Sequence, residues 1–548
     1  MTKRNQFICV FIFLAMVTLF CCSLKEEKGG TIESKYEDLV KLFKEWREFQ
    51  MPEINDGVPN YTAAAMEEQR DGLQEFQSRL DAIDPSSWLI SQQIDYHIVR
   101  AEMNGLDFDH RVLRPWSRNP CFYSVYYRSP SDVPALEGPW RYGTLCLWKY
   151  TFPLADKDID EFRMHLQAIP KVLEQAKSNL VEEARDLWFL GIKKKERESV
   201  FLDNLAERLG EDRPDLVPDI RQAKAAVDDF RTWLEKKQKN MTAPSGTGIE
   251  NYNWYMKNVH LIPYTWEEQL AILHRELDRA WACLKLEENR NRHLPKLKPP
   301  ESREEYQRRF DQAEDEFMAF LREEEIMTVP DYLQGTLSRK VGFIPPGGLR
   351  DFFTQVDYHD SLPMRCHGTH WFDLARMKHE PHPSPIRSIP LLYNIWDSRA
   401  EGLATGMEEM MMHAGLLDKR PRARELVYIL IACRAARAMG DLKMHSNEFT
   451  LEDAVEYAVK WTPRGWMPEE GRTVWVDEEL YLQQPGYGTS YLVSKVHLEK
   501  LIRDRSRQLG EKFNMKQFMD KFHAAGLIPL SLIQWEMTGL DDEIKKLW

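Results

Sequence analysis

The segment YEDLVKLFKEWREFQ places Leu39, Leu42, Phe43 and Trp46 three or four positions apart. A helix turns once in about 3.6 residues, so these four side chains share one stripe, whereas a strand would scatter them over two faces. The same period returns in AAMEEQRDGLQEFQSRLDAI, DEFRMHLQAIPKVLEQAKSNLVEEARDLW, VPDIRQAKAAVDDFRTWLEKKQ and TWEEQLAILHRELDRAWACLKLEENRNR. Such amphipathic runs can bury their stripes only against one another, which predicts a mostly α body with little β. Pro170 should kink or start a helix. Strand-like composition is confined to CFYSVYY and TLCLWKYTF. At 548 residues the chain exceeds one ordinary core. Pro244, Ser245, Gly246 and Gly248 mark a linker, giving an N-terminal helical region over 35–243 and a C-terminal one over 249–548. Residues 114–153, rich in Pro, Trp and Tyr, read as a long ordered loop or small hairpin that walls a site or packs the core.

Lys3 and Arg4 precede an apolar run from Phe7 to Phe20 that stops at Cys21-Cys22. The run is short for a membrane span and suits a signal-peptide core. Leu19-Phe20-Cys21-Cys22 is similar to a bacterial lipoprotein box, which makes 1–22 the leader, Cys22 the lipidated residue (Cys21 the alternative) and 23–34 a polar tether. The expected location is the cell envelope, with membrane contact through the lipid. Cys121, Cys146, Cys283, Cys366 and Cys433 show no Cys-x-x-Cys spacing, which excludes a zinc knuckle. Cys121 and Cys146 are either a bridge or buried thiols. A net charge of −13 argues against nucleic acid as a partner.

Glu401 and Glu408 lie two turns apart on one face of RAEGLATGMEEMMMHAG, an otherwise apolar, Met-rich helix. Two buried carboxylates there require a metal, a basic partner or water. Several segments, in order LDAIDPSSWLISQQIDYHIV, LQAIPKVLEQAKSNL, GTGIENYNWYM, RAARAMGDLKMHS, QQPGYGTSY and FNMKQFMDKFHAAGLIPLSLI, resemble the bacterial domain-of-unknown-function 885 family. That resemblance implies a large helical, zincin-like, metallopeptidase-like fold with a central cleft. The family pattern is His-Glu-x-x-Pro-Gly-His followed by Glu-Gly-Trp-Ala-Leu-Tyr-Ala-Glu. The second element is kept in part here as Glu401-Gly402-Leu403-Ala404-Thr405-Gly406-Met407-Glu408; the first is degenerate, RCHGTHWFDLARMKHEPHPSP. Neither His367 nor His370 is followed by the Glu that would act as general base, and the prolines after His379-Glu380 forbid a helix presenting both histidines to one ion.

His367 and His370, with Glu401, form a candidate ligand set for one divalent metal, zinc first, with manganese or iron as oxygen-richer alternatives. Asp373 extends the histidine face, and it or Glu408 would have to replace the missing base. Arg437, Asp441 and His445 recur at four-residue spacing, so Arg437–Asp441 is an expected ion pair; His445 matches the family's Asp-x-x-x-His position, and the resemblance implies an oxyanion stabiliser there. Gln484-Pro485-Gly486-Tyr487-Gly488-Thr489-Ser490-Tyr491 reads either as a turn between helices or as a Gly-flexed loop similar to the Tyr-rich loops that close over peptide in related helical metallopeptidases. It offers Gly486 and Tyr487, with Arg437, for substrate and Tyr491 for catalysis, while Glu401, His445 and Tyr491 should line the cleft. Two functions fit: an exported metal-dependent hydrolase of peptides or amino-acid conjugates, or a non-catalytic envelope protein that keeps the cleft to bind a small peptide-like ligand.

Overall fold

The computed structural model describes residues 35–128, 142–337, 343–345 and 347–548. The leader, Cys22 and the tether lie outside the described residues. The chain is mostly α. Helices α1 (Tyr36–Phe49), α2 (Ala63–Asp81) and α3 (Ile90–Phe108) come first, then α4 (Ile159–Asn179), α5 (Arg185–Gly210) and α6 (Val217–Gln238). The C-terminal part holds α7 (Ile249–Asn258), α8 (Trp266–Arg290), α9 (Arg303–Glu323), α10 (Phe352–His359), α11 (Leu362–His367), α12 (His370–His379) and α13 (Asp397–His413). It continues with α14 (Ala423–His445), α15 (Leu451–Trp461), α16 (Arg472–Gln483), α17 (Tyr487–Leu509), α18 (Met515–Ala524) and α19 (Leu530–Thr538), and a single turn, Ile544–Leu547, follows. No helix among the described residues is long and apolar enough to cross a membrane.

The α1 stripe is as read from the sequence: Leu39, Leu42, Phe43 and Trp46 are its buried residues, each worth about 1.5–3 kcal/mol of transfer free energy. Helix α4 runs through Pro170 without ending. The two strand-like segments meet, as β3 (Tyr126–Tyr127) and β4 (Leu145–Cys146), after a first small pair, β1 (Ile54–Asn55) with β2 (Val58–Pro59). The β3–β4 pairing is parallel, so these two strands do not form a hairpin. Cys121 carries a free, buried thiol, and the bridge to Cys146 is not formed.

The hydrophobic cores do not divide at the 244–248 linker. One core joins Leu39, Trp46, Ile98 and Phe108 to Phe317, Leu403, Ile429 and Leu498. Helices α4–α6 build the other around Phe162, Trp188 and Phe230, and it reaches Met444, Leu451 and Tyr481. Thus α1–α3 pack with the C-terminal body. The linker itself is packed: Ser245 Oγ accepts the Asp186 and Leu187 N–H groups (2.9 and 3.3 Å), satisfying orphan donors at the start of α5. A staple crosses the first core. Arg387 donates to Asp95 (2.6 Å), Glu536 (2.8 Å) and the carbonyls of Ser91 (2.7 Å) and Ala525 (3.1 Å).

Candidate metal centre

Helix α11 ends at His367 and α12 starts at His370. The Gly368-Thr369 turn between them swings the two imidazoles together, ring centres 5.0 Å apart and planes at 78°. A side chain at 368 would sit 2.7 Å from Leu337 Cδ2, so the turn is tight as well as short. Helix α13 brings Glu401 to the pair, and one donor atom each from His367, His370 and Glu401 lies within 4.8 Å of the others. Helix α17 closes on α13 because residue 402 is glycine: a Cβ there would stand 2.5 Å from Ser494 Cβ. This approach lets the Tyr487 hydroxyl donate to Glu401 Oε1 at 2.9 Å and sets the Tyr491 ring 6.3 Å from His367, nearly parallel at 16°.

Behind the histidine stands an ion pair. Arg434 on α14 grips Glu408 with two bonds of 2.7 and 2.8 Å, both side chains being almost wholly buried. His367 Nδ1 lies 3.1 Å from Glu408 Oε1 and 3.1 Å from Arg434 Nη2. Because a guanidinium can only donate, Nδ1 accepts from Arg434, and Nε2 faces Glu401 Oε2, 3.7 Å away. The Arg434–Glu408 pair thus fixes the orientation of the imidazole. Burial, aided by Arg434 and Arg437, holds the His367 imidazole well below its ordinary pKa, hence neutral. Burial raises Glu401 to about 7 against the Tyr487 hydrogen bond and the two arginines, and Glu408 to about 7 against Arg434. Glu401 Oε2 is buried and has no hydrogen-bond partner. Two imidazoles and a carboxylate with an orphaned oxygen are a donor set that fits zinc.

Other expected residues go elsewhere. Asp373 is held by Arg399 in a bidentate pair (3.1 and 3.1 Å) with His523 beside it. His445 is fully buried, bonded through Nε2 to the Tyr481 carbonyl (3.0 Å) and stacked on Tyr252, and burial lowers it to about 4. The Arg437–Asp441 pair does not form. Arg437 Nη1 is bonded to Asp477, and Asp441 accepts the backbone N–H groups of Gly486 and Thr489 (3.2 Å each), capping α17. Gly486 has φ of +86°, and a Cβ there would lie 2.3 Å from Met256 Cε, which makes it a turn residue. The Gly486–Tyr491 stretch is therefore a helix start rather than a loop. Sequence reasoning missed Arg434; its signal was an arginine one turn before Arg437 on a helix whose every turn is apolar.

Residues 368–537 match a bacterial family of proteins of unknown function, DUF885. The match takes in His370, Glu401, Glu408, Arg434 and Tyr491, and begins one position after His367. No curated protein matches the chain. Two solved structures share its fold. One, described as a "putative lipoprotein of unknown function" from Shewanella oneidensis, is 14% identical with a TM-score of 0.68, covering 92% of this chain and 100% of that one. The other, a "putative lipoprotein" from Colwellia psychrerythraea, is 14% identical with a TM-score of 0.63, covering 93% and 99%.

Proposed function

We propose that this is an exported, lipid-anchored envelope protein that holds one divalent transition metal, zinc first, and uses the site to bind a carboxylate-bearing, peptide-like ligand. The anchor is supported by the leader ending at Cys21-Cys22 and by the description of both structural neighbours as lipoproteins. The observation that carries the metal is the closed set of His367, His370 and Glu401, with Glu401 Oε2 buried and unpartnered. When bound, the ion would act as a Lewis acid toward a ligand oxygen. Arg437 supports the ligand class. Its Nη1 is spent on Asp477, while Nε and Nη2 are buried without partners. Those two N–H groups share one edge of the guanidinium, the fork that takes a carboxylate bidentately. Tyr491 lies under the same guanidinium, 5.6 Å from it.

Binding is favoured over turnover because the two carboxylates available to replace the missing base are engaged. Asp373 is clamped by Arg399 and Glu408 by Arg434, and loss of a general base costs roughly 10²–10⁴-fold in rate. A hydrolytic reading keeps one observation in its favour: the Tyr487 hydroxyl bonded to Glu401 and the Tyr491 ring beside His367, suitable for steadying developing negative charge. Elemental analysis of the wild type beside His370→Ala and Glu401→Gln, with helicity checked by circular dichroism, tests the centre. One equivalent of metal in the wild type, lost in both folded variants, is expected. Metal retained by both, or none after incubation with zinc, manganese and iron, refutes it. A diverse peptide library then separates the readings, since cleavage abolished by Glu401→Gln would establish a hydrolase.

A further inference from the structure

Asp373 and the His379–His382 stretch, both left unused by the metal centre, meet at a separate cavity of about 400 Å³ formed by α12, the segment after it and α18. Two histidines line it. His523 Nδ1 takes a hydrogen bond from Arg399 Nη2 at 3.0 Å, shorter than its 3.5 Å separation from Asp373 Oδ1. Its proton therefore sits on Nε2, a buried atom that has no partner. His382 Nδ1 accepts the Ser384 backbone N–H at 3.0 Å, which puts its proton on Nε2 as well. Arg376 stands on the same wall. Its Nη1 serves Glu380 (3.3 Å) and its Nη2 the Thr328 carbonyl (3.2 Å), leaving a buried Nε–H without an acceptor.

The other charged groups of the lining are already matched. Arg387 has its four bonds to Asp95, Glu536 and two carbonyls. Asp520 accepts the Thr328 N–H and hydroxyl at 2.8 and 2.7 Å, and Asp373 is neutralised by Arg399. Burial lowers both His382 and His523 to about 4, so each is a neutral donor at pH 7. What the cavity keeps uncommitted is thus N–H, from two imidazoles and one guanidinium, against a wall of Pro330, Met377 and Leu527. Buried donors without acceptors are costly, and a ligand that supplies acceptors gains by meeting them.

We propose that this cavity is a second ligand site, which takes a small organic acid through its carboxylate on His523, His382 and Arg376. A singly charged, two-oxygen acceptor suits one free guanidinium N–H flanked by neutral donors. Inorganic phosphate, with more charge, is opposed by Glu380 and Asp520 at the same walls. The site is independent of the metal centre.

Calorimetric titration of the full mature chain with acetate, succinate and phosphate at pH 7 tests it. Saturable succinate or acetate binding is expected, weakened about 10-fold or more in Arg376→Met and in the volume-conserving His523→Gln, and less in half-buried His382→Ala. The proposal is overturned by absent carboxylate binding, by binding that survives all three cavity variants, or by a preference for phosphate. His382→Ala keeps the test usable if a buried variant fails to fold.

Discussion

Replacing Arg387 with methionine should lower the melting temperature by about 3–5 °C. The side chain is wholly buried and joins Asp95 and the Ser91 carbonyl on α3 to Glu536 on α19 and the Ala525 carbonyl after α18. Methionine fills similar volume and removes every one of these donors. Asp95 keeps the hydroxyls of Tyr36 (2.5 Å) and Ser384 (2.7 Å), and Glu536, with 24% of its side chain exposed, keeps water. The loss then falls in the range for one broken buried pair, about 3–5 kcal/mol. Unfolding entropy of about 2.1 cal/mol/K per residue over roughly 500 residues gives about 1 kcal/mol per degree, hence the shift. Arg387→Lys retains the charge but has three donors for four acceptors, and should lose about half as much. Asp95→Asn in the methionine background should recover part of the loss by removing the stranded charge. Scanning calorimetry of the four proteins is the assay. A methionine variant melting within about 1 °C of wild type, or lysine as damaging as methionine, would refute the staple.

Lys195→Met should destabilise by about 3–5 kcal/mol, because it strands Glu198 in a pair with 0% and 2% side-chain exposure; adding Glu198→Gln should return part of it in denaturant titrations. Asp109 is raised by burial to about 8. Its proton is kept in the fold and released by the unfolded chain above about pH 4, so this group costs stability as pH rises from 4 to 8. Asp109→Asn should therefore match wild type near pH 4 and gain on it by several kcal/mol by pH 8; equal pH profiles would disprove this. Gly402→Val should push α17 from α13, costing about 1–3 kcal/mol or more and lowering metal content, with unchanged metal counting against the packing account.

The outer helices were legible because each carries its own stripe, as α1 does; His367 and His370 were legible because three positions let a tight turn bring both imidazoles together, and Glu401 because it opens the second family element. Partners supplied by a different helix were not. Arg437 and Asp441 have the right separation for an ion pair, yet Asp477 takes the arginine and the start of α17 takes the acid. Asp373 read as a free carboxylate because Arg399 is 26 positions away. The linker at 244–248 read as a boundary since glycine and proline report local backbone, while the attachment of α1–α3 to the C-terminal body rests on apolar contacts and on Arg387, far along the chain.

The turn at Gly368 leaves little room for the Glu that the family pattern carries after its first His. Writing Glu into position 368 would recreate a His-Glu pair after His367, but its first side-chain carbon would arrive 2.7 Å from Leu337 Cδ2, and Leu337 is itself buried in the core. A Glu there therefore requires the Leu337 methyl to shift within the core, an overpacking cost of about 1–3 kcal/mol. Packing around one glycine thus serves two ends at once, bringing the imidazoles together and excluding a side chain from the position between them.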